Sequence, residues 1–148
     1  MFSQTTEYAL RAMACLATAP GELVPTTTLA TKTNVPANYL AKVLQQLASS
    51  GLIRGRRGVG GGYMLAREAG DINLLEIVQT VGELTTHDRV SLSYGPPNDV
   101  GTLQDTLAQV KTMVMKSLEG VTLQSLVQDS PKEGGKHNNG RRTADSAP

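Results

Sequence analysis

A mostly α-helical protein with one small β-hairpin is the fold class this sequence predicts, and three observations carry it. Two segments with helical periodicity, about residues 26–33 and 36–50, are separated only by Asn34-Val35. An arginine- and glycine-rich run, Arg54-Gly55-Arg56-Arg57-Gly58-Val59-Gly60-Gly61-Gly62-Tyr63, follows at once. Farther along, Leu103, Leu107, Val110, Val114 and Leu118 recur at spacings of four, three, four and four, the stripe of a long helix that packs against another.

The first helix is expected over residues 3–18, with Ser3 as its cap and Ala9, Leu10, Met13, Leu16 and Ala17 as its apolar stripe. Pro20-Gly21 ends it. A second helix starts near Thr26, a capping residue after Pro25, and buries Leu29 and Ala30 before the Asn34-Val35 turn. The third begins at Pro36, whose fixed φ suits a first helical turn, and runs through Tyr39, Leu40, Val43, Leu44 and Leu47 to Ser50-Gly51. Two helices joined by so short a turn form a helix-turn-helix candidate.

Leu52-Ile53-Arg54 and Tyr63-Met64-Leu65 then read as two short strands around the glycine run, which makes the unit a winged helix-turn-helix. A helix pair alone is explained equally well by structural packing. A basic hairpin in the next position points instead to duplex DNA, because guanidinium groups seek anions and glycines let the backbone approach a ligand closely. A nucleotide loop is excluded: no lysine follows these glycines, and their spacing does not fit the dinucleotide-binding pattern. Beyond the hairpin, Asn73-Leu74-Leu75-Glu76 has the form of a capping box ahead of Leu74, Ile77, Val78 and Val81. The long helix is expected over about 102–118 and a short last one over Thr122–Gln128.

The chain has 148 residues, no Trp, a single Phe and one cysteine, so its core is aliphatic and it has neither a disulfide framework nor a cysteine-only metal site. No apolar run approaches the ~20 residues that span a bilayer, and no signal-peptide pattern opens the chain, so a cytoplasmic protein without a membrane partner is expected. The net charge of +1 conceals an asymmetry: residues 1–70 carry seven Lys/Arg against three acids, the remaining 78 seven against ten. A basic head on an acidic body suits DNA binding. No nucleophile–base pair, metal-ligand set or paired carboxylates is visible, which argues against an enzyme.

With these motifs in place, residues 3–82 closely resemble the Rrf-two family of bacterial transcription regulators. The resemblance rests on Glu7-Tyr8-Ala9-Leu10, Leu29-Ala30, the run from Tyr39 to Leu47, Ser50-Gly51-Leu52-Ile53, the wing from Arg57 to Ala66, and a fourth helix within Ile72 to Gly82. It implies a homodimer that binds double-stranded DNA at a pseudo-palindromic operator, most simply as a repressor. The recognition helix would enter the major groove and the wing the neighbouring minor groove.

On that basis Asn38, Tyr39, Lys42 and Gln45, with Gln46 beside them, are suited to base edges or phosphates. Residues 38, 42, 45 and 46 are not expected to share one face; Asn38 and Lys42, four apart, are. Tyr39 is open between a phosphate contact and a core position. Arg57 matches the wing arginine of the family and is the expected minor-groove contact, since a narrow groove concentrates negative potential. Arg54 and Arg56 are assigned to phosphates, Gly60 and Gly61 to close backbone approach, and Tyr63 and Leu65 to the core beneath the wing. The resemblance also makes the 102–118 helix, with Leu103, Leu107, Val110, Val114 and Leu118, the dimerisation helix.

The expected organisation is then a winged helix-turn-helix domain over 1–82, with the helix-turn-helix at 26–50 and the wing at 52–66. A loop follows over 83–101, helices over 102–128 and a disordered tail over 129–148. Sensor members of the family hold an iron–sulfur cluster on three cysteines in that loop. Here it contains none, so the reading is a member with no cofactor and no metal. Glu7 lies where some relatives offer a carboxylate to the cluster, a role that lapses without the cysteines. A small-molecule effector is not identified. Two alternatives stand beside this reading: a winged-helix adaptor that binds protein and not DNA, and a regulator that senses a small ligand or an oxidant through Cys15.

Overall fold

The computed structural model describes residues 2–82 and 100–129. The loop expected from residue 83 falls outside the described residues up to residue 99, and the expected tail does so from residue 130. Ser3 opens helix α1 (Gln4–Ala17) as a true cap, its side chain accepting from the Thr6 amide at 3.2 Å. Ala9, Ala12, Met13 and Leu16 line its buried face. The helix ends before Pro20-Gly21, with Thr18 as its last cap.

Helix α2 (Thr26–Thr33) departs from expectation at its start. Pro25 holds the cap position, no side chain caps the helix, and Thr26 is already helical. Likewise Pro36 stands just outside α3 (Ala37–Ser49) and not in its first turn. Between the two helices Asn34 adopts φ 54°, the left-handed conformation that a short polar side chain tolerates. Val35 then donates to the Ala30 carbonyl, and the chain turns tightly enough to seat α3 across α1 and α2. Gly51, at φ +79°, closes α3 in the same manner, with Leu52 donating back to Leu47 at 3.1 Å.

Strands β1 (Ile53–Arg56) and β2 (Gly62–Leu65) form an antiparallel hairpin in the register Ile53↔Leu65, Arg54↔Met64, Gly55↔Tyr63, Arg56↔Gly62. A third partner had no signal in the sequence. Val24, directly before α2, pairs with Tyr63 through hydrogen bonds of 2.8 and 2.9 Å, so the hairpin is fastened to the entrance of the helix-turn-helix. A 3-10 turn (Ala69–Asp71) leads to α4 (Leu74–Thr80).

The capping box of α4 is present in both directions: Asn73 Oδ1 accepts from the Glu76 amide at 3.0 Å, and Glu76 accepts from the Asn73 amide at 3.2 Å. Arg67, just after β2, adds an ion pair to Glu76 at 2.8 Å. Replacing Asn73 with Ala is expected to lower the unfolding free energy by ~1 kcal/mol, the usual loss for an N-cap. A urea titration reads this as a lower midpoint with an unchanged slope; an unmoved midpoint would show that the box holds nothing.

Helix α5 (Val100–Glu119) begins earlier than the periodicity suggested, so residues 100 and 101 are helical and not loop. It packs on α4. Helix α6 (Leu123–Asp129) returns to the N-terminal body: its Leu123 amide donates to Ile72, Leu74 donates to Val121, and the helix packs on α1 and the 3-10 turn. The core is therefore one aliphatic cluster, with Met13, Leu16, Leu29, Leu40, Leu44, Leu47, Ile53, Ile72, Ile77 and Leu123 fully buried. No helix among the described residues is long and apolar enough to cross a membrane.

Candidate nucleic-acid interface

Helix α3 is sharply two-sided. Leu40, Val43, Leu44 and Leu47 are buried, while Asn38, Tyr39, Ala41, Lys42, Gln45, Gln46 and Ser49 are exposed. Asn38, Lys42, Gln45 and Ser49 follow one another at helical spacing and make a single polar ridge. The expectation that residues 38, 42, 45 and 46 cannot share the outer surface is thus corrected. All four are exposed, and Gln46 sits on the flank of the ridge nearest α1. Tyr39 is also resolved: at 55% exposure it does not close the core, and its ring tilts 58° against that of Tyr8 at 6.5 Å.

The hairpin presents the arginines. Arg54 and Arg56 alternate along β1 and are exposed, with Arg57 beside them where the strand ends. Successive side chains of a strand point to opposite faces, so Arg54 and Arg56 share the face away from Ile53 and Gly55. Among the described residues no ion pair occupies any of the three. Tyr63 lies across Gly55 so closely that a Cβ there would stand 2.9 Å from its ring, which explains a glycine in the middle of a strand. Leu65 is buried and Tyr63 half-buried against the core, as expected of residues that hold the hairpin down.

The loop between the strands turns on glycines in two distinct ways. Gly58 and Gly60 take φ of +94° and +75° in open space, where only the backbone conformation excludes other residues. At Gly61 a Cβ would meet the Arg56 carbonyl at 2.3 Å, so the loop folds back onto its own strand. Val59, fully exposed at the tip, was not singled out from sequence; an apolar residue among arginines and glycines gives no pattern.

The apolar stripe of α5 divides along its length. Val114 and Leu118 are half-buried, whereas Leu103, Leu107 and Val110 are each about half exposed, at 52%, 50% and 50%. Met113 beside them is 67% exposed and was also missed, because it falls off the main stripe. The N-terminal half of α5 therefore carries an apolar surface that no described residue covers.

No group of three or more His, Cys, Asp or Glu that could hold a metal occurs among the described residues. Cys15, the only cysteine of the chain, is half-buried on α1 against the core.

A family model described as Rrf2, iron-dependent transcriptional regulator, matches residues 2–129. A predicted HTH-type transcriptional regulator of Mycobacterium tuberculosis is 34% identical over 124 residues, which cover 82% of this chain and 77% of that protein. One from Aquifex aeolicus is 27% identical over 139 residues, covering 89% and 94%. Among solved structures, T. potens IscR superposes with a TM-score of 0.72 at 25% identity over 87% of each chain. Staphylococcus aureus CymR does so with 0.71 at 26% identity, over 85% of this chain and 97% of its own. An iron–sulfur cluster draws on several thiolates, and this chain has one cysteine.

Proposed function

The chain belongs to the Rrf2 family of transcriptional regulators, and from that membership we propose that it is a sequence-specific DNA-binding regulator working as a homodimer without an iron–sulfur cluster. The observation that carries the reading is the fastening of the arginine hairpin to the entrance of α2 by the Val24–Tyr63 pair. A polar recognition ridge and three exposed arginines, none of them in an ion pair among the described residues, thereby stand on elements joined by backbone hydrogen bonds. In this reading residues 1–82, closed by α6, are the DNA-binding head, and α5 joins two heads. The target is a pseudo-palindrome, since a two-fold protein reads a two-fold site. Where that site overlaps a promoter, occupancy represses.

Within the surface, Asn38, Lys42 and Gln45 face the major groove and Arg57 the minor groove. Arg54 and Arg56 engage phosphates, with Gly60 and Gly61 bringing the backbone close. Operator binding by the purified protein across a salt series tests this: affinity should fall linearly on logarithmic axes, with a slope set by the phosphates neutralised. Arg57→Ala should weaken the operator complex by ~1–3 kcal/mol. Its thermal stability should not change, because the residue is exposed and makes no ion pair among the described residues. Unchanged affinity would remove Arg57 from the groove. A protein that bound no duplex at all would instead be an adaptor for other proteins.

A further inference from the structure

The outer surface of α3 continues into a groove of about 920 Å³ that reaches α1 and the end of α4. Tyr39, Lys42, Gln45, Gln46 and Ser49 border it from α3, and Thr5 and Tyr8 from α1. Among the described residues Lys42 is the only charged one lining it. Glu7, the nearest acid on α1, is not part of the lining and pairs with Arg11 on its own helix. Thr5, Lys42, Gln46 and Ser49 are exposed, and none of their side chains makes a hydrogen bond or ion pair among the described residues.

We propose that this groove seats the sugar–phosphate backbone of one DNA strand, which brings α1 into an interface otherwise confined to the helix-turn-helix and the hairpin. The proposal rests on the DNA-binding reading above and deepens it. The major groove is ~12 Å wide, and a helix with its side chains is ~10–12 Å across. A seated α3 therefore touches both walls, and each wall is a phosphodiester strand. The wall on the α1 side falls over this groove. Lys42 supplies the charge, while Thr5, Tyr39, Gln46 and Ser49 supply neutral donors that suit phosphate oxygens and carry no base preference. Asn38, the one residue of the ridge that does not line the groove, is left to the base edges.

Charge placed in the groove tests the assignment. Gln46→Lys should tighten binding to the operator and to a random duplex by a common factor, roughly three- to tenfold, and steepen the salt slope by about one. Gln46→Glu and Thr5→Glu should weaken both duplexes by a common factor and leave the ratio between them unchanged. Both sites are exposed, so melting temperatures should match that of the unaltered protein. A changed operator-to-random ratio at residue 46 would make it a base reader and overturn the proposal, as would affinities that ignore charge at 46 and 5. Failure of the unaltered protein to bind duplex would overturn the DNA-binding reading and this one together.

Discussion

Aspartate at both Leu107 and Val110 should convert the protein to a monomer and lower operator affinity by a factor on the order of 10²–10⁴, the advantage two linked heads hold over one. The two side chains lie on the half of α5 that nothing described covers, each 50% exposed. Burying such residues across a helix pair contributes ~1.5–3 kcal/mol apiece. Carboxylates in their place must be desolvated instead. The fold should survive, because α5 holds to its own subunit through the opposite end of the stripe, at Val114 and Leu118. Light scattering gives the mass, and titration of a single half-site gives the affinity left to one head. A variant that stays dimeric at micromolar concentration, or a monomer that binds the full operator undiminished, would move the dimer contact elsewhere.

A single methyl group at Gly62 should cost the protein its hairpin. A Cβ there would stand 2.3 Å from the Val24 carbonyl oxygen, and the φ of +156° disfavours any L side chain. Gly62 is thus the point where β2 and the segment before α2 touch backbone to backbone, next to the paired Val24 and Tyr63. Gly62→Ala is expected to destabilise the fold on the order of 3 kcal/mol, combining strain with the broken bridge. Gly60→Ala is the control: its φ is also positive, but nothing lies within 4 Å, so only ~1 kcal/mol of conformational strain applies. Denaturant unfolding of both variants, with amide exchange at Val24 and Tyr63, separates the cases. Equal tolerance at the two positions would count against a close backbone contact.

Most of the fold was legible because its signals are local. Ser3, the Asn73/Glu76 box and Gly51 act within a few residues of themselves, and each does in the structure what its chemistry suggests. The departures lie at helix starts, and at α2 and α3 a proline holds the cap position just outside the helix. At α2 the cap position belongs to Pro25, so Thr26 enters the helix. The Val24–Tyr63 pair escaped notice because its partners are far apart in sequence and Val24 belongs to no strand of its own.

The arginines of the hairpin could be read from composition, whereas the groove between α1 and α3 could not. Thr5, Gln46 and Ser49 are ordinary polar residues until folding brings them to one surface. The divided stripe of α5 was hidden for a related reason. Periodicity marks which residues are apolar together, not which of them the subunit buries for itself.

The bridge at the base of the hairpin also limits how the molecule can be switched. For the hairpin to retract while the recognition helix stays in place, the two hydrogen bonds between Val24 and Tyr63 would have to break. In the proposed homodimer each half would then behave as one jaw of a calliper, and the remaining freedom would be the gap between jaws, set where two copies of α5 would meet. On that reading, selecting an operator would become a measurement of length, with half-sites ~34–36 Å apart for a one-turn spacing. A stimulus that resets the gap by a few ångströms would release DNA without altering a single residue that touches it.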